Sequence, residues 1–181
     1  MVQQKGLSAL RGAQSPWFIG LFVLFFLMIA LGISLFFYQR TFLVKFVIED
    51  AKTKNIVFSK TMKIGESFKL NYIHSVTNQP VEEVFYVKDA NTLAMKEMRY
   101  DSFGANLPVG PEKLAEETTS FISEEGYYRV VYENRVFDAI PLRVGQVIAN
   151  HQLFFSDGSR LSFQDIVPGG TYVKMRVQPY Q

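Results

Sequence analysis

The 181 residues carry 19 Lys+Arg against 17 Asp+Glu, with two histidines and no cysteine. That composition excludes a disulfide framework, a thiolate nucleophile and a cysteine metal site. A near balance of charge without basic blocks argues against a nucleic-acid partner.

The first feature in chain order is an uncharged run, residues 17–38 (WFIGLFVLFFLMIALGISLFFY). At about 1.5 Å rise per residue, a helix of this length reaches roughly 33 Å, enough for a hydrocarbon core of about 30 Å. Trp17 and Tyr38 bracket it, where amphipathic rings favour an interface. Pro16 suits a first helical turn. A cleaved signal peptide has a shorter apolar core and a small-x-small site, whereas here Phe36-Phe37-Tyr38-Gln39-Arg40 follows. A buried core helix is rarely apolar all round for so long. We therefore expect a cytoplasmic leader over 1–15, a single transmembrane signal-anchor helix over 16–39 and one extracytoplasmic domain over 41–181. Lysine and arginine are evenly split across the helix, so the orientation rests on architecture: a short leader ahead of a large domain.

The domain holds 16 basic and 17 acidic residues once Lys5, Arg11 and Arg40 are set aside. Its pattern is mainly β. Residues 41–49 alternate, with Phe42, Val44, Phe46 and Ile48 on one face and Leu43, Lys45 and Val47 on the other. Further strand runs are 55–60, 67–74, 81–88, 92–100, 127–132, 135–140, 142–147, 152–156, 160–163 and 171–178. Turn residues separate them at 89–91, 133–134, 157–159 and 168–170. Residues 103–119 break the pattern with Gly104, Pro108, Gly110 and Pro111, and 112–118 has the composition of one short helix. The expectation is a β-sandwich or barrel-like domain with that helix.

Two polar clusters are candidates for chemistry. The first lies between two strands: His74-Ser75-Val76-Thr77-Asn78-Gln79-Pro80-Val81-Glu82-Glu83. Period-2 geometry puts His74 and Glu83 on the apolar faces of adjoining strands, where they could meet if the strands pair. A buried carboxylate needs a partner, and His74 or Arg99 could supply it. A buried polar network fixing the hairpin ranks ahead of ligand binding, catalysis and a metal. The two histidines are far apart in sequence, so no metal and no cofactor are expected. The second cluster runs from Arg99 through Ser102 and Gly104 to Pro108. Gly104 suits a turn or a close backbone approach. Arg99 could grip a carboxylate ligand or neutralise Glu83 or Glu97. A Ser102–His74–acid hydrolase is weakly supported, because no nucleophile elbow surrounds Ser102. Glu116-Glu117 and Glu124-Glu125 read as solvated, and Tyr127-Tyr128 as strand packing.

At these clusters the chain resembles the domain of unknown function 1850 family. The matching residues are His74-Ser75-Val76, Pro80-Val81-Glu82-Glu83-Val84-Phe85, and Arg99-Tyr100-Asp101-Ser102-Phe103-Gly104-Ala105 followed by Leu107-Pro108. Asn106 stands where the family has a third glycine, and asparagine tolerates the left-handed conformation such a turn asks for. The resemblance implies a small extracytoplasmic protein, often encoded beside TAXI-class TRAP transporters. From it we expect an accessory subunit docking on the permease or its solute-binding protein. The alternatives are a stand-alone binding protein with Arg99 and His74 facing an anionic ligand and, last, an enzyme.

Overall fold

The structure, a computed structural model, describes residues 16–114 and 117–180; the expected leader, 1–15, lies outside them. The chain divides into two compact units, Met1–Thr41 and Phe42–Gln181.

In the first unit, Pro16 opens helix α1 (Pro16–Thr41). Trp17 and residues 20–35, its described side chains, are all exposed. Among the described residues no helix is long and apolar enough to cross a membrane; the unbroken described run of α1 side chains covers only 20–35.

The second unit is mainly β. Its strands are β1 (Leu43–Asp50), β2 (Ile56–Lys63), β3 (Ser67–Ile73), β4 (Pro80–Val87), β5 (Leu93–Tyr100), β6 (Lys113–Leu114), β7 (Glu117–Glu124), β8 (Tyr127–Glu133), β9 (Val136–Phe137), β10 (Ile140–Arg143), β11 (Gln152–Phe155), β12 (Arg160–Ser162) and β13 (Tyr172–Pro179). They form two antiparallel sheets instead of one closed barrel. One runs β10-β13-β1-β2; the other runs β12-β11-β3-β4-β5-β8-β7-β6, with β9 paired to β5.

The sheets share one core. Val44, Phe46 and Ile48 of β1 are fully buried, as the alternation requires. Phe46 meets Phe68 of β3 at 5.0 Å and Phe155 of β11 at 5.9 Å between ring centroids. Each such ring contributes roughly 1.5–3 kcal/mol by leaving water. Val47 is fully buried too, although it faces the other way. Its ladder neighbours are Ser59 and Arg176, and Glu49 holds the Arg176 side chain along that face at 3.2 Å.

Several expectations are corrected. Of the residues expected as a helix over 112–118, those described at 113–114 and 117–118 are strand, and 115–116 lie outside the described residues. Lys113 pairs with Thr118 and Leu114 with Glu117 in a β6–β7 ladder, and β7 pairs with β8 from Thr118 to Glu124. The β-branched Thr118 and Thr119 favour a pleated surface, and pairing with β8 overrides the helical composition of the glutamates. The sole helical turn among the described residues of this unit is the 3-10 turn Phe163–Asp165. The strands expected over 135–140 and 142–147 are instead β9 at Val136–Phe137 and β10 at Ile140–Arg143, and residues 144–147 lie in no strand. Glu117 is paired rather than solvated, 3.3 Å from Arg135. Glu124 is held by Arg129 at 2.9 Å and accepts a hydrogen bond from Tyr127.

Candidate functional site

β3 and β4 are joined by residues 74–79. The loop closes through His74 N–H to the Gln79 carbonyl and Asn78 N–H to the His74 carbonyl, both 2.8 Å. Asn78 supplies the left-handed residue, at φ 54°. His74 therefore points back onto the segment after β5. Its Nε2 lies 3.0 Å from the Ala105 carbonyl, which can only accept, so Nε2 carries the proton. Nδ1 is then the acceptor, met by the Thr77 N–H at 3.3 Å and its hydroxyl at 3.2 Å.

Gly104 makes this approach possible: a Cβ on it would stand 2.8 Å from the His74 ring. The next residues form a turn closed by Leu107 N–H to the Gly104 carbonyl at 3.1 Å. Asn106 is its left-handed member, at φ 66°, so asparagine does take the conformation expected of it. Tyr100 hydroxyl donates to the Pro108 carbonyl, Leu107 is buried, and Phe103 stacks on Tyr128 at 4.3 Å. The segment 101–110 is thus pinned over the end of the second sheet by His74 below and by aromatic rings beside it.

Glu83 lies elsewhere. Its ladder partners are Leu70 and Met98. Its carboxylate accepts a hydrogen bond from the Tyr72 hydroxyl at 3.0 Å. Burial raises its pKa, against the lowering by the Tyr72 hydrogen bond and the Arg135 charge. The pairing expected with His74 or Arg99 does not occur. The β3–β4 register places Glu83 opposite Leu70, and His74 lies beyond the end of β3. Arg99 faces the other side of the sheet, opposite Glu82, with its guanidinium 3.2 Å from Glu97.

Two cavities result. The first, about 440 Å³, is lined by His74, Ser75, Arg143, Gly145, Gln146 and His151 among others. It brings together the two histidines that lie far apart in sequence. His151 Nδ1 accepts the Gly145 N–H at 3.1 Å, and its ring lies 5.2 Å from that of Tyr72. Burial lowers its pKa from 6.5 to about 4, so the ring is neutral near pH 7. Strand parity could have found this residue, since His151, Leu153 and Phe155 alternate onto the buried face.

The second cavity, about 540 Å³, is a groove on the outer face of the larger sheet, within the size range of small-molecule sites. A row of paired residues crosses it: Gln152 with Asn71, Asn71 with Glu82, Glu82 with Arg99. Lys69 holds Glu82 at 3.0 Å, and Tyr127 lies under the Arg99 guanidinium at 5.7 Å. Arg99 and His74 therefore do not face one ligand; they line different cavities.

Ser102 lies half-buried in the bend after β5 and lines neither cavity. Neither ring nitrogen of His74 has Ser102 as its partner. Among the described residues no cluster of three metal-ligating side chains occurs.

A search of curated proteins and a search of solved structures returned no match. A family model, Domain of unknown function (DUF1850), matches residues 68–161. That stretch runs from β3 to β12 and contains the His74–Gly104 contact, Glu83 and Arg99. On that match, which covers more than half of its length, the chain belongs to the DUF1850 family.

Proposed function

We propose that this protein is a membrane-anchored extracytoplasmic binding module, serving as an accessory protein of a TAXI-class TRAP transporter. The observation that carries the binding reading is the groove on the outer sheet face. Side chains from several neighbouring strands line it, and a rigid sheet holds them at fixed spacing. The anchor reading is supported by the coincidence of α1 with an uncharged 17–38 run and by the cost of exposing apolar side chains to water all round a helix. The transporter partner is supported by the family resemblance alone. Gentle detergent extraction of the full chain tests it: the permease or its solute-binding protein is expected to co-purify. Consistent recovery of the chain by itself overturns the accessory role.

A second reading, a stand-alone binding protein for an anionic ligand, is favoured by one specific feature. Arg99 is only partly paired in the groove, with 42 % of its side chain exposed.

A further inference from the structure

Three buried side-chain polar atoms among the described residues lack a hydrogen-bond partner: Asn71 Oδ1, Arg99 Nε and Tyr132 hydroxyl. Buried polar atoms in folded proteins are nearly always satisfied, so their location is informative. Two of the three belong to residues of the outer groove, Asn71 and Arg99. The two residues stand on either side of Glu82 in one row across β3, β4 and β5. At about 4.8 Å per strand their backbones are about 10 Å apart.

Arg99 is poorly used where it stands. A guanidinium has five donors in a planar fork. Here one nitrogen meets Glu97 at 3.2 Å and Nε meets nothing. Glu97 does not depend on Arg99, because Arg129 also approaches it, at 3.6 Å, and Arg129 is itself held by Glu124. The fork can leave Glu97 without stranding a buried charge. The Tyr127 ring supports the guanidinium plane from one side, the arrangement that suits arginine rather than lysine.

We propose that the groove binds a small monocarboxylate whose tail carries neutral hydrogen-bonding groups. Once the guanidinium swings off Glu97 and carries the buried Nε to the groove, the carboxylate is gripped through Nε and a terminal nitrogen of Arg99, and an amide or hydroxyl of the tail meets the side-chain amides of Asn71 and Gln152. The other charges in the groove set the class. Glu82 lies between the two ends, and Asp101 is an exposed carboxylate on the groove wall. Glu82 is already paired with Lys69, so the Asp101 carboxylate is the group that repels a second carboxylate and disfavours dicarboxylates. Phe154 and Ile73 offer apolar surface for a short carbon chain. The proposal rests on reading this groove as the binding surface of the module.

The test uses the full chain in detergent micelles and ligand-observed saturation-transfer NMR, followed by calorimetry. The probes are N-acetyl-L-alanine, its methylamide, and glutarate. N-acetyl-L-alanine is expected to bind, with the methylamide and glutarate weaker by about tenfold or more, the scale of a charge-assisted bidentate pair. Arg99→Gln is expected to weaken N-acetyl-L-alanine by about tenfold or more, and Arg99→Lys to restore little because it lacks the fork. Asn71→Ala should weaken it several-fold, with a melting temperature close to that of the parent confirming a folded protein. No binding of N-acetyl-L-alanine, equal binding of the methylamide or glutarate, or undiminished binding by Arg99→Gln overturns the proposal. Co-purification with a permease is independent of all these results, so the accessory role and the ligand class fail separately.

Discussion

His74, in the loop after β3, and Arg99, on β5, sit at the same end of the larger sheet, yet their surroundings differ in one respect. His74 has both ring nitrogens engaged, a glycine cut to its shape and a buried position. Arg99 is exposed on one side and lacks a partner for a buried nitrogen. A polar group whose every valence is met within the chain holds the chain together; its removal leaves other groups unpaired. A polar group left under-used, beside an open groove, is available to something else. The contrast separates the residues of one motif, which lie within a short stretch of sequence, into a structural clasp and the surface proposed for binding.

The largest effect should come from breaking the clasp. Gly104→Ala puts a Cβ 2.8 Å from the His74 ring and is expected to cost about 1–3 kcal/mol, as overpacking does. Thermal unfolding reads this as a drop of several degrees. His74→Ala alone should cost a comparable amount by stranding the Ala105 carbonyl and the Thr77 N–H. The double variant sharpens the point. In the His74→Ala background the added methyl meets no ring, so Gly104→Ala should cost little. Additive losses in the double-mutant cycle would show that the two residues do not act as one contact.

The next effect concerns the second histidine, which burial keeps neutral. With a folded pKa of about 4 against 6.5 unfolded, the unfolded chain binds more protons between these values. His151 therefore contributes stability that is fully present above pH 6.5 and is lost as pH falls toward 4, by at most roughly 3 kcal/mol. Denaturant unfolding at a series of pH values should show this slope. His151→Asn, whose side-chain oxygen can take over the Gly145 N–H, should remove it. Glu83 acts with the opposite sign. Its raised pKa makes its contribution largest below the ordinary carboxylate value, with loss as pH rises through the folded value. The difference between parent and His151→Asn isolates the histidine from it. An unchanged slope in the variant would assign the acid sensitivity elsewhere.

The smallest stability effect is expected at Arg99. Its side chain is exposed and its ion pair with Glu97 is backed by Arg129, so Arg99→Gln should change stability by no more than about 0.5 kcal/mol, the range of surface pairs. A loss as large as that of Gly104→Ala would place Arg99 with the clasp and remove the contrast between them.

Most of the strand plan was legible because a strand shows its period of two in any few residues. β1, β3, β4, β5, β8, β11, β12 and β13 stand close to where alternation put them, and the glycine, proline and asparagine turns lie between them. β7 was hidden because the segment leading into it, 112–118, carries helical composition, and only the ladder with β8 decides otherwise. The site was legible as a set of residues and not as an arrangement. Gly104 was read as a point of close approach because backbone conformation follows from local chemistry, and the left-handed Asn106 was expected from the family's glycine at that position. That the approach is made by His74, that Glu83 finds Tyr72 instead, and that His151 joins His74 at one cavity are matters of register and loop path. Contacts between strands depend on which residue lies opposite which, and a period of two says only which face each side chain takes.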